Sequence, residues 1–306
     1  AVTMPYSSAI LVGTNKNLEF AEGHRGCCAV VDATGSYALK VSLVQMNTQD
    51  DKSANLKTAA ALINKAVAEE QPDLVVLPEY YAFLGDSPEA MHESAETFPN
   101  GESYRLMSGL AEKHGITIHA GSVAERDGDD FYNATVVFGP NGRQLAHYRK
   151  IHLFDVDAPG GTSYRESNTV SRGKDIVTYD IGDVTVGCSI CYDIRFPELF
   201  RKLRDAGADI IVLPAAFTLM TGKDHWELLA RARAAETQTW FLASAQTGTH
   251  AGGKKACWGH SMVIDPWGHI AAQCSDGVGI TSARLDFDYT AKVRASIPVA
   301  DHHVLG

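Results

Sequence analysis

The chain has 306 residues, 45% of them apolar, which is enough to bury a large core without disulfides or metals. Its formal charge of −10 would repel a phosphate backbone, so nucleic acid is not an expected partner. No apolar stretch approaches the roughly 18–20 residues of a membrane span, so a membrane is not expected either. Six cysteines, two of them adjacent, are few for this length and point to free thiols in a reducing compartment. The short apolar patch at residues 9–12 has no basic segment ahead of it, so the expectation is a cytoplasmic protein. In that compartment the sequon Asn133-Ala134-Thr135 is a chance match.

Residues 1–38 show little periodicity and read as an N-terminal extension of unassigned role; residues 39–306 read as one catalytic domain. Residues 39–46 alternate as a strand. Residues 55–70 place Leu56, Ala59, Ala60, Ile63 and Val67 on one helical face, with Ser53 or Asn55 as N-cap. Residues 73–77 form a short apolar strand ending at Pro78-Glu79. A helix over 103–114 stops at Gly115, strands follow over 116–124 and 132–138, and Pro140-Asn141-Gly142 turns the chain into a strand over 144–149. The second half gives a strand at 184–190, a helix at 197–206 closed by Gly207, and a strand at 209–213. A helix at 225–238, a strand at 240–246 and a hairpin across 259–274 complete it. Strand–helix alternation interleaved with hairpins predicts an α/β fold in which mixed sheets are flanked by helices.

Three segments end a buried strand in a polar residue: Leu74 to Glu79, His147 to Lys150, and Val186 to Asp193. Strand ends in such sheets border ligand crevices. Cys191 lies where a strand turns into a helix, where N-terminal N–H groups lower a thiol pKa and supply oxyanion donors; a small buried hydrophobe is the bland alternative. Cys188 and Cys191 also spell CxxC, which leaves a redox or metal reading open. Cys257 and His260 are its one available pair of further ligands, and strand alternation would send 188 and 191 to opposite faces. Glu79 after a buried strand is costly unless paired or protonated, and an ordinary loop acid is its bland reading. Lys150 reads equally as a solvated hairpin charge, and Glu166 by itself says nothing.

Taken together, Leu77-Pro78-Glu79, Tyr148-Arg149-Lys150-Ile151-His152-Leu153 and Cys191-Tyr192-Asp193-Ile194-Arg195-Phe196-Pro197-Glu198-Leu199 resemble the carbon–nitrogen hydrolase (nitrilase) superfamily over roughly residues 39–303. Within it the chain looks most like the amidases of deaminated glutathione and of 2-oxo acid ω-amides. That likeness rests on residues 152–160, Glu166-Ser167, Ala216-Phe217, Thr221-Gly222, His225-Trp226-Glu227 and Gly259-His260-Ser261. Lys223-Asp224 departs from the pattern before His225-Trp226, and the first 38 residues have no counterpart in it.

The resemblance implies a four-layer αββα sandwich of two mixed sheets, pairing into a homodimer, and no cofactor or metal. It implies Cys191 as nucleophile, Glu79 as base, Lys150 with the Tyr192 backbone N–H as oxyanion partners, and Glu166 as a second carboxylate. Arg195, Phe217 and Thr221 would contact a substrate carboxylate. The expected reaction is thioester-mediated hydrolysis of a small-molecule amide with release of ammonia. A nitrilase or an N-carbamoyl amidohydrolase would use the same triad, and an idle binding protein or CxxC redox protein is the competitor of another class.

Overall fold

A computed structural model describes residues 9–14, 17–22, 38–157 and 163–305. Most of the extension expected over residues 1–38 lies outside the described residues, as do Cys27, Cys28 and Ala158-Pro159-Gly160; within the extension, Ala9–Thr14 and Asn17–Glu22 pair as antiparallel strands.

The rest forms the expected sandwich. In the first sheet, Gly279–Asp286 pairs antiparallel with Ala38–Gln45, which runs parallel to Leu74–Val76 and then Thr117–His119. Asp130–Phe138 follows antiparallel and is flanked by both Val123–Asp127 and Gln144–Arg149. The second sheet runs Thr178–Ile181, Val184–Cys188, Ile210–Ala215, Trp240–Ala245, Met262–Ile264 and Ile270–Gln273, and its parallel centre is Val184–Cys188 to Trp240–Ala245.

Alternation along the strands sorts the core. Leu39, Val41, Leu43, Leu74 and Val76 share one cluster with Val186, Ile211, Leu213 and Ala243 of the second sheet. Their neighbours Val44, Val75 and Leu77 face the other way, onto Leu56, Ile63, Met107 and Leu110 of helices Lys52–Glu70 and Glu102–His114. Strands covered on both faces read as near-continuous apolar runs, which is the pattern of residues 73–77 and 209–213. Helices Pro197–Asp205 and Leu219–Thr237 cover the outer face of the second sheet through Leu199, Leu203, Trp226 and Ala230.

Local differences from the sequence reading have physical causes. The first long helix is capped by Asp51, whose carboxylate accepts from Ala54 N–H at 2.9 Å, not by Ser53 or Asn55. Asn55 is buried instead, and its amide ties the Gln49 and Ala82 backbones to the helix. The strand expected over 116–124 is two strands broken at Gly121 (φ +48°), where a Cβ would stand 2.0 Å from the Pro78 carbonyl oxygen. Only glycine fits so close an approach, and Ser122 beyond it holds the Glu79 segment through Tyr80 and Tyr81 N–H. The strand expected to run to Ile190 ends at Cys188. The strand–helix pair Gly279–Asp286 and Phe287–Ser296 was not anticipated; its half-buried residues blur the alternation.

Candidate active site

The three strand ends meet at one cavity of about 420 Å³, lined by Glu79, Lys150, Glu166, Cys191 and Tyr192 together with Ala216, Phe217 and Thr221. Glu79 and Lys150 are each 2% exposed and Cys191 8%. Residues 79, 150 and 191, far apart in sequence, thus share one cavity wall.

Glu79 is held from three sides. Its Oε1 accepts from Asn133 Nδ2 at 2.8 Å and from Lys150 Nζ at 3.3 Å, and its Oε2 from Ala216 N–H at 2.6 Å. Gln246 Nε2 fixes its backbone carbonyl at 2.9 Å. Lys150 leaves the strand Gln144–Arg149, and its ammonium reaches Glu166 at 2.9 and 3.2 Å as well as Glu79. Burial alone would lower the Lys150 pKa, but the Glu166 and Glu79 carboxylates outweigh it and hold the ammonium charged, well above the usual lysine value. Glu166 opens a short 3₁₀ turn and also accepts from Phe154 N–H at 2.6 Å.

Cys191 begins the 3₁₀ turn Cys191–Arg195 with φ +45°, a left-handed conformation unusual for a residue with a Cβ. Asp193 secures this elbow. Wholly buried, it accepts from Ile190 N–H at 2.9 Å and Tyr148 Oη at 2.7 Å, and contacts the His152 backbone N–H at 3.0 Å and Nδ1 at 2.7 Å. One carboxylate therefore ties the Cys191 turn to the segment carrying Lys150.

The elbow does not lower the Cys191 pKa as its position in sequence suggests. Burial and the adjacent Glu79 carboxylate push it well above the ordinary value, against an opposing pull from Lys150. Two carboxylates surround one ammonium, so the local charge favours the neutral thiol. A neutral thiol beside a carboxylate is arranged to lose its proton during attack on an electrophile.

Around this centre Phe217 packs against Trp226, with ring centroids 5.3 Å apart, and Tyr192 packs edge-on to Phe154 and Phe196. Thr221 Oγ1 bonds Thr218 Oγ1 at 2.6 Å. Arg195 is not among the residues lining the cavity; its guanidinium lies 5.5 Å from the Phe217 ring centroid and 3.4 Å from His225 Nδ1. The CxxC cysteines differ in setting. Cys188 is wholly buried at its strand end, its thiol pushed up by burial, while Cys191 reaches the cavity. His260 stacks on Trp258, and the described residues contain no group of three or more His, Cys, Asp or Glu arranged to hold a metal ion.

Asn133, Ala216 N–H and Asp193 are contributors that sequence reasoning did not single out, as is Tyr80, whose Oη donates to Glu166 Oε1 at 3.4 Å. Asn133 bridges Glu79 and Glu166 and is fully buried, which also keeps the sequon inaccessible in the folded protein. A polar residue three positions before the apolar run of residues 136–138 was not by itself a signal for it, since Thr135 stands in the same strand.

A family model described as carbon–nitrogen hydrolase matches residues 40–295. The chain is 40% identical over 263 residues to omega-amidase NIT2-A of Xenopus laevis, covering 85% of this chain and 93% of that one. It is also 40% identical over 267 residues to deaminated glutathione amidase of Synechocystis, covering 85% and 96%. Among solved structures, Saccharomyces cerevisiae Nit3, a member of branch 10 of the nitrilase superfamily, superposes with a TM-score of 0.78 at 34% identity, covering 85% of this chain and 94% of that one.

Proposed function

The chain belongs to the carbon–nitrogen hydrolase family, and from that premise we propose that Cys191, Glu79 and Lys150 hydrolyse the terminal amide of a small carboxylated substrate. Deaminated glutathione and 2-oxo acid ω-amides are the substrate classes that the relatives' names suggest. The observation that carries this reading is the convergence of a thiol, a carboxylate and a buried ammonium on one cavity.

The contacts support the following sequence of steps. Glu79 takes the Cys191 proton as the sulfur attacks the amide carbonyl. Lys150 and the Tyr192 backbone N–H, in the first turn after the elbow, hold the oxyanion. Glu79 then delivers its proton to the departing nitrogen, ammonia leaves, and a thioester joins the acyl group to Cys191. Water deprotonated by Glu79 attacks the thioester, and collapse of the second tetrahedral intermediate returns the proton to the thiol. Glu166 keeps Lys150 charged and aimed, and Asn133 with Ala216 N–H orients Glu79. Phe217 and Thr221 shape the acyl side, and Arg195, whose guanidinium lies 5.5 Å from the Phe217 ring centroid and 6.0 Å from that of Tyr192, meets the substrate carboxylate with them.

Copies of the chain pair through the outer helical layer, where Leu219, Met220 and Leu228 are exposed, and sedimentation velocity measures that pairing directly. Free thiols at 188, 191, 257 and 274 suit a reducing, cytoplasmic setting.

Ammonia release from ω-amides and deaminated glutathione tests the assignment. Cys191→Ala is expected to abolish turnover and the hydroxylamine-trappable acyl intermediate while leaving the fold intact. Near-normal ammonia release by that variant would remove Cys191 from the role.

A further inference from the structure

Building on the amide-hydrolase reading, we propose that Tyr80 is a specificity-determining residue whose hydroxyl oxygen accepts an N–H of the substrate's carboxamide.

A planar amide brought against Cys191 presents three substituents, and the cavity wall divides among them. The oxygen belongs to Lys150 and the Tyr192 N–H, and the acyl carbon to the side of Phe217 and Thr221. The nitrogen is left facing the remaining side, where Glu79 and Glu166 stand joined by Lys150 and Asn133. Tyr80 follows Glu79 in the chain and lines the cavity, and its Oη donates to Glu166 Oε1 at 3.4 Å.

A carboxamide nitrogen carries two protons and needs acceptors for them. The carboxylates on this side are already engaged. Glu166 accepts from Lys150 on both oxygens, from Phe154 N–H at 2.6 Å on Oε2 and, at longer range, from Asn133 Nδ2 on Oε1. Glu79 accepts from Asn133, Lys150 and the Ala216 N–H, and its remaining capacity goes to the proton it exchanges with sulfur and nitrogen. A phenol that gives its one proton to Glu166 keeps two lone pairs. Among the described residues, Tyr80 Oη makes no other hydrogen bond, so both lone pairs stay open. Burial and the Glu166 carboxylate keep the phenol protonated, well above the usual tyrosine value, so it enters as a neutral hydroxyl and not as a base.

The backbone at this position is strained, and the strain is held in place. Tyr80 has φ +53°, a left-handed conformation rarely adopted by a residue with a bulky side chain. Its N–H donates to Ser122 Oγ at 3.1 Å, and Tyr81 N–H donates to the Ser122 carbonyl at 3.2 Å. The turn after the base is thus fixed from the neighbouring segment, and an aromatic hydroxyl stands beside Glu166 at the cost of an unfavourable φ.

The test compares succinamate with monomethyl succinate, which form the same succinyl thioester and differ in the group that leaves. The ester's leaving oxygen has no proton to donate. Each kcat/KM reports the steps through acylation, and the amide-to-ester ratio cancels any difference in folded fraction. Tyr80→Phe should lower that ratio ~3–10-fold, the size of one neutral hydrogen bond, with turnover of monomethyl succinate unchanged. Ser122→Ala, which loosens the turn and keeps the hydroxyl, should lower the ratio in the same direction by less, and it decides the question if Tyr80→Phe does not fold. An unchanged ratio overturns the assignment. Equal losses on both substrates would mean that Tyr80 acts through Glu166 on Lys150, whose hold on the oxyanion amide and ester share. A wild-type protein that left succinamate intact would sink the amide-hydrolase reading, and this inference with it, before any variant was compared.

Discussion

Cys191 sits among groups that keep its proton in place: a buried setting and a carboxylate on one side, a single shared ammonium on the other. Reactivity toward an alkylating agent should therefore track the small thiolate fraction. The rate of Cys191 carboxymethylation by iodoacetamide, followed by peptide mass spectrometry, is expected to climb with pH well past the ordinary cysteine value of about 8.5 without levelling. A plateau near neutrality would mean a standing thiolate and a different resting state. Glu79→Gln removes the flanking negative charge, so alkylation should shift to lower pH while ammonia release collapses. That Glu79, Lys150 and Cys191 share one cavity could be anticipated from the sequence because each lies within a motif of several contiguous residues. Asn133 and the Ala216 N–H were not, because their partner Glu79 lies 54 and 137 residues away and no local pattern encodes such a contact.

Single elements show the same division between local and distant information. The stop of the helix Glu102–His114 at Gly115 (φ +64°) was legible, since a left-handed cap position favours glycine. Its start was not: Gly101 has no side chain to cap with, and the carboxylate of Glu96 takes over, accepting from Ser103 N–H at 2.9 Å and Oγ at 2.6 Å while Lys52 pairs with it at 2.6 Å. Burial opposes the charge on Glu96, but Lys52 and Ser103 overcome it and hold the carboxyl below the usual glutamate range. A depressed folded-state pKa contributes stability that is present above the unfolded value of about 4.3 and is lost as pH falls through the folded one. Glu96→Gln should thus lower the urea unfolding free energy by about 1–3 kcal/mol at pH 7, with the gap narrowing as pH falls below the usual glutamate range. A gap that did not narrow at all with falling pH would trace the loss to packing and not to charge. The helix Leu219–Thr237 begins six residues earlier than its amphipathic stretch suggests. Gly222, a poor helix former, lies so close to Trp258 that a Cβ there would stand 2.4 Å from the Trp258 Cβ, so tertiary packing overrides propensity.

At the scale of the molecule, the layered architecture was legible from strand–helix alternation, while the closing strand Gly279–Asp286 was not, because pairing with Ala38–Gln45 joins opposite ends of the domain. The two sheets are locked by more than apolar contact. Ser244 Oγ of the second sheet donates to the Val44 carbonyl of the first at 2.7 Å, and Gln246 Nε2 reaches the Glu79 carbonyl and Thr48 Oγ1. Calorimetry should therefore record one unfolding transition, coincident with the loss of ammonia-releasing activity. Two resolved transitions would mean that the halves fold separately.

The bond network of Asp193 has a bearing on how such a catalyst can be altered. Its four contacts join the turn that presents the sulfur, from one sheet, to Tyr148 and His152 on either side of Lys150, from the other. The spacing of the Cys191 sulfur and the Lys150 ammonium is thereby set by a wholly buried group outside the cavity lining. Changes to the acyl-facing wall leave that spacing alone, so the reach of the enzyme over different amides is free to drift while its bond-breaking apparatus stays put.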